Sequence, residues 1–228
     1  MNLAFVSRSA SLALLALCLA APQGLAGQSM PVLPFANRTL VDQPLQAAWL
    51  AQGTLPQSGQ VVITEFMKDP TFVSDSHGEW IEVWNSLPWR CNLDGWTLSD
   101  DAGNSHTLDA GGTIALIMRP GQRFVLGLDA DPNTNGGVTL NYVYSGFSLS
   151  NSGADQIILT RPNGQLVDRV EFDNVSYPHT PGRSIQLDEG FRTQYFNDDP
   201  AHWCHSQTNW SAGNPDTGTP GFLNDPCM

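Results

Sequence analysis

From Val61 onward the apolar residues come in short, β-branched runs punctuated by Gly, Asn, Asp and Pro, at the spacing of an all-β sandwich. The runs predict strands over 61–67, 79–85, 95–99, 113–118, 123–128, 140–144, 156–161, 165–173 and 183–187. Two tight turns, Arg119-Pro120-Gly121-Gln122 and Pro162-Asn163-Gly164, predict hairpins. Alternation places Trp80, Glu82 and Trp84 on one face of the second run and Ile81 and Val83 on the other. With Ile81 and Val83 in the core, the first three form a candidate binding surface, an aromatic platform around a carboxylate suited to protein or carbohydrate contact. The alternative is that flanking segments cover them. In the run 165–173, Asp168 shares a face with Leu166, Val170 and Phe172. A buried carboxylate needs a partner, so Asp168 reads as a structural lock, with Arg183 or Ser184 of the next strand to hold it.

The sandwich is preceded by two segments of different composition. Residues 1–26 read as a secretory signal peptide: Arg8, the apolar run SLALLALCLAA, then small residues around Gly24-Leu25-Ala26. The run is shorter than the roughly 20 residues of a membrane span, so the expectation is a soluble exported protein, extracellular or periplasmic. Cys18 follows Leu17 where a lipoprotein signal wants a small residue. Residues 27–60 read as a linker with one short helical stretch, Asp42 its N-cap, Pro44 early and Gly53 past its end.

Charge narrows the class of partner. Lys and Arg number 10 against 22 Asp and Glu, for a formal net charge of −12. Removing Arg8 with the signal makes the chain one unit more acidic. Such a surface repels phosphates over a Debye length, which argues against nucleic acid as partner and favours solubility or a divalent cation.

The search for chemistry is mostly negative. Gly146-Phe147-Ser148-Leu149-Ser150 lacks the second glycine of a nucleophile elbow, and no metalloprotease, P-loop or dinucleotide motif is present. His202 and His205 have a spacing that suits a metal only on a helix. Asp129, Asp131, Asn133 and Asn135 offer oxygens at alternate positions, as calcium loops do. Thr134 and Leu140 stand where the EF-hand pattern wants Gly and a bidentate Glu. The same residue types make ordinary turns. Calcium is thus the one cofactor suggested, and no catalytic residue is assigned.

The stretch GEWIEVWNSLPWRCNLDGWTLSDDAG resembles the lamin tail domain. The matching positions are Glu79, Trp80, Ile81, Glu82, Val83, Trp84 and Asn85, then Cys91, Asn92, Leu93, Gly95, Trp96 and Leu98. The likeness continues through FSLSNSGADQIILTRPNGQLVDRVEFD, departing at Ala154, which separates Gly153 from Asp155. It implies an immunoglobulin-like β-sandwich over 61–188, with Trp96 structural, followed by a tail over 189–228 whose Gly218, Thr219, Pro220, Gly221 and Asn224 match a closing segment of exported relatives. On residues alone, three cysteines beyond the signal permit three single pairings. The resemblance puts Cys91 in an apolar slot, which implies a Cys204–Cys227 disulfide. It further implies a module that binds or scaffolds, through protein–protein or cell-surface contact, and no chemistry of its own. Two alternatives stand beside that reading: a calcium-dependent adhesion module, and a cryptic extracellular hydrolase, because bacterial lamin-tail domains accompany nucleases and phosphoesterases.

Overall fold

A computed structural model describes residues 60–111 and 116–228. The predicted signal peptide, the predicted linker up to residue 59 with its helical stretch, and residues 113–115 of the fourth predicted strand lie outside them. The elements run β1 (Val61–Met67), α1 (Asp75–Gly78), β2 (Trp80–Asn85), β3 (Cys91–Asn92), β4 (Thr97–Ser99), β5 (Ser105–Thr107), β6 (Ile117–Met118), β7 (Arg123–Gly127), β8 (Tyr142–Val143), β9 (Asp155–Thr160), β10 (Leu166–Phe172), β11 (Ile185–Leu187) and β12 (Trp203–His205). They form an immunoglobulin-like sandwich. A six-stranded sheet in the order β12-β11-β1-β2-β7-β8 faces a four-stranded sheet, β10-β9-β4-β5, and β3 pairs with β6 in a small third sheet.

The core between the sheets collects the inward residues of both. Ile63, Phe66, Ile81, Val83, Leu126, Ile185 and Leu187 meet Leu98, Ile157, Leu159, Val170 and Phe172, all at most 2% exposed. Phe66 ties the layers, its ring centroid 4.7 Å from Phe172 and 5.6 Å from Trp203. The D-G-W turn enters β4 through Gly95, at φ 79°, a conformation that side chains resist. A Cβ there would also meet Pro162 Cγ at 3.1 Å. Trp96 follows, buried, with the Arg161 guanidinium 5.5 Å from its ring centroid.

Two bulges reset the alternation. In β1 the register shifts between Ile63 and Glu65, so Ile63 and Phe66 both face the core while Thr64 and Glu65 both face outward. In β10 it shifts between Leu166 and Asp168. Leu166 is therefore 44% exposed and Val167 buried, against the simple alternation, while Asp168, Val170 and Phe172 keep the inward face.

One predicted hairpin takes a different form. Pro162-Asn163-Gly164 does join paired strands, β9 and β10. The turn at Arg119–Gln122 closes as expected, Gln122 N donating to Arg119 O at 3.0 Å, but its flanks diverge, β6 to β3 and β7 to β2. The strands β3, β5 and β12 carry too few apolar residues for periodicity to show them.

Candidate functional site

The outer face of the six-stranded sheet is covered by the chain's own C-terminal segment. Glu65 and Glu82 are both fully buried there. Glu65 accepts from Ser184 Oγ (2.5 Å), Thr219 N (2.8 Å) and Thr219 Oγ1 (2.7 Å). Glu82 accepts from Thr64 Oγ1 (2.7 Å), Arg123 Nη1 (2.5 Å) and Gly221 N (2.8 Å). Asn224 donates to Thr64 O (2.9 Å) and Leu187 O (2.7 Å), and Arg123 also pairs with Glu189. Residues 218–225 thus form a strap held by backbone N–H groups on buried carboxylates, while its apolar side chains Phe222 and Leu223 point outward, 75% and 70% exposed. Burial, with the nearby Glu82 charge added, pushes the Glu65 carboxyl up to about 8.

Trp80, Glu82 and Trp84 accordingly do not form an exposed platform. Trp80 is 1% exposed and belongs to a second, smaller core with Met67, Val125 and Val138, capped edge-on by Trp210 at 5.9 Å. Gly218 makes this cover possible, since a Cβ there would lie 2.8 Å from the Trp80 ring and 2.9 Å from that of Trp210. Trp84 is half-buried, with the Arg192 guanidinium 4.4 Å from its ring centroid. The physical reason is the tail, which brings both its own indole and a glycine to the patch.

Several side-chain oxygens of the 129–135 loop accept hydrogen bonds from the loop and from His77. Asp129 Oδ1 accepts Asp131 N (2.9 Å), and its Oδ2 binds Thr134 Oγ1 (2.5 Å) and His77 Nδ1 (2.7 Å). Asp131 accepts Asn133 N at 2.9 Å. Asn135 is 1% exposed, with its carboxamide oxygen taken by Gly137 N and Val138 N at 2.9 and 3.0 Å. This is an Asx-turn arrangement, in which side-chain oxygens cap local N–H groups. Among the described residues no group of three or more His, Cys, Asp or Glu could hold a metal ion. His202 stacks on Phe191 at 3.9 Å, and His205 lies in β12, so the pair is not on a helix.

The lamin-type motif that prompted the resemblance is now in place. β2 runs into a loop, β3, the D-G-W turn and β4, and the sequence model of the Lamin Tail Domain matches residues 54–174. The chain belongs to the lamin tail domain family. No curated protein matched the chain significantly. The family is an immunoglobulin-like, non-enzymatic type, compatible with a binding or structural module. No helix among the described residues is long and apolar enough to cross a membrane. In this lamin tail domain the extra Ala154 leaves Asp155 at the first position of β9, where its carboxylate accepts Ser150 N (2.7 Å) and Gln156 N (2.8 Å). The tail beyond the domain is tied by a Cys204–Cys227 disulfide, and Cys91 is free and buried.

Asp168 is held by neither Arg183 nor Ser184. Its Oδ2 accepts Ile63 N and Asn197 Nδ2, both at 2.7 Å, so it clamps β1 to the tail across the open side of the sandwich. Arg183 donates instead to Ser206 O, and Ser184 to Glu65. The partner is different because the tail places Asn197 beside Asp168. Burial pushes the Asp168 carboxyl up to about 7. Its other oxygen, Oδ1, is buried with no hydrogen-bond partner.

Asp168 also lines part of a groove. β10 is the edge of its sheet, paired only with β9, and tail residues 194–200 run beside it. Two hollows lie along the strand, with Asp198 shared by both. The smaller, about 140 Å³, is lined by Asp168, Arg169 and Gln194 among others. The larger, about 290 Å³, is lined by Asp101, Asp155, Glu171, Asp173 and Tyr177 among others, with no Lys or Arg in its wall. Asp198 and Asp155 are both shifted upward, chiefly by burial. Arg169 is drawn toward Glu171, 3.1 Å away. Sequence reasoning took Asp168 as a structural lock and did not bring Asp198, Glu171, Asp101 and Asp155 together with it. The alternation that turns Glu171 outward and the acidic run Asp198-Asp199 were visible; their convergence was not.

Proposed function

We propose that this lamin tail domain protein is an exported, non-catalytic binding module, and that it makes contact through the groove along the open edge of β10. The observation that carries this is an edge strand with no strand on its outer side and two hollows beside it, one of them lined by Asp168, whose Oδ1 is buried with no partner. Edge strands offer backbone donors and acceptors to an added segment, and side-chain hollows supply selectivity. Protein contact at a cell surface or in the extracellular space fits the signal-like N-terminus and the disulfide. The sheet face around Trp80 is not offered, because the strap occupies it.

An unbiased peptide display library panned against the wild type and against Asp198→Arg tests the site. Enriched sequences should bind the wild type and lose binding to the variant. Equal binding to both would place the contact elsewhere. Export is tested by intact-mass analysis of secreted material, which should begin at Gly27 or within a few residues of it.

A further inference from the structure

We propose that the β10 groove receives an extended, cationic polypeptide segment of another molecule, with a Lys or Arg side chain entering each hollow on either side of Asp198. This rests on the binding-module reading above and names its partner class.

Charge decides the chemistry. The larger hollow gathers Asp101, Asp155, Glu171, Asp173 and Asp198 with no basic residue in its lining. The neighbouring Arg169 is already shared with Glu171, and the chain's single lysine, Lys68, is turned inward to Asn174 Oδ1 at 2.7 Å and Ser150 O at 3.3 Å. An ammonium or guanidinium placed among these carboxylates would offset their like charge through charge-assisted hydrogen bonds. The smaller hollow has its own demand. Asp168 is 2% exposed, and its Oδ1 lacks the partner a buried carboxylate oxygen requires. A donor arriving from outside would complete it.

The strand sets the spacing. Asp168 and Phe172, which mark the two hollows, are four residues apart, roughly 13 Å at the rise of an extended chain. Side chains at i and i+4 of an extended ligand point to one side and span the same distance. Two basic residues so spaced fit the groove, and the residue between them, at i+2, faces Asp198. A second copy of this acidic chain, with formal net charge −12, does not meet that requirement.

The test uses the full chain and two labelled octapeptides, one alternating Lys with Thr and one alternating Glu with Thr. By fluorescence anisotropy the lysine peptide should bind, more weakly as salt rises, and the glutamate peptide should not. Asp198→Asn with Glu171→Gln should weaken binding roughly tenfold. The control Asp94→Asn with Asp131→Asn removes the same charge from exposed positions outside the groove and should change it less than about twofold. An equal loss in both double variants would mean diffuse attraction and would overturn the proposal. Amide hydrogen exchange on the wild type decides independently of how the variants fold: the lysine peptide should slow exchange within residues 166–172. Slowing there by the glutamate peptide alone would leave the groove as the contact site and refute a cationic partner. Slowing by library-derived peptides and by neither octapeptide would do the same, and no slowing by any peptide would remove both readings.

Discussion

Glu79 offers the sharpest quantitative check on how the sandwich is built. It stands just before β2, is 3% exposed, and accepts one hydrogen bond, from Leu149 N at 3.0 Å. Burial pushes its carboxyl from 4.5 up to about 8, and the nearby Asp75, Asp155 and Asp69 push in the same direction. The unfolded chain releases this proton near 4.5, so between that value and about 8 the folded state binds more protons than the unfolded one. The stabilising contribution is therefore complete below 4.5 and is lost as pH rises through about 8. Each pH unit inside the window removes about 1.4 kcal/mol, or roughly 4 kcal/mol between pH 5 and pH 8. Glu79→Gln keeps an acceptor for Leu149 N and has no proton to lose. Urea unfolding of both proteins, followed by tryptophan fluorescence at several pH values, isolates the effect because the other carboxylates cancel in the difference. The variant's stability relative to wild type should climb by about 1.4 kcal/mol per pH unit and then level off above about 8. Parallel curves would show that Glu79 is ionised in the folded protein and would refute the reasoning.

Three further outcomes follow from the contacts described. Asn224→Ala removes the donors to Thr64 O and Leu187 O; it should cost about 2 to 4 kcal/mol and speed proteolytic cutting within 218–226, measured by urea melts and timed digestion. Replacing both Cys204 and Cys227 with Ser opens a loop of 23 residues of separation, which should lower stability by about 3 kcal/mol in the chain-entropy model while Cys91 stays unreactive to thiol reagents under native conditions. Calcium should leave the melting temperature where EDTA leaves it, because four loop side chains with no bidentate Glu fall short of the roughly 6 to 8 oxygens calcium takes; a rise of several degrees that vanishes in Asp129→Ala with Asp131→Ala would establish a site there.

What the sequence disclosed, and what it withheld, follows from the range over which each signal acts. The strands β1, β2, β7, β9 and β10 are long enough for alternation or an unbroken apolar run, and the D-G-W turn has its own glycine signature, so sandwich and family were both legible. β3, β5 and β12 are two or three residues each and owe their pairing to neighbours. The two bulges were invisible because nothing local marks them, yet they decide that Thr64 and Glu65 share a face and that Leu166 is exposed. Glu65, inside the run VVITEFM, drew no reading from the sequence. Its partners, Ser184 and Thr219, lie 119 and 154 residues away, beyond any pattern in the chain. The groove was hidden for the same reason: Asp101, Asp155, Glu171 and Asp198 are ordinary acidic residues until the fold brings them to one edge.

The disulfide takes on another meaning when the chain is considered under load. A pull applied at Met228 reaches Cys227 after a single residue and passes through the sulfur bridge to Cys204, in the middle of β12. The bridge gives that tension a covalent path beside the intervening segment, whose strap is itself anchored by Asp225 N on Gln186 Oε1 at 3.1 Å. Along the bridge, force enters the sandwich through the antiparallel β11–β12 pair, where Gln186 is the register partner of Cys204. A pull arriving through Cys227 would load the outermost strand by a covalent route as well as through the strap.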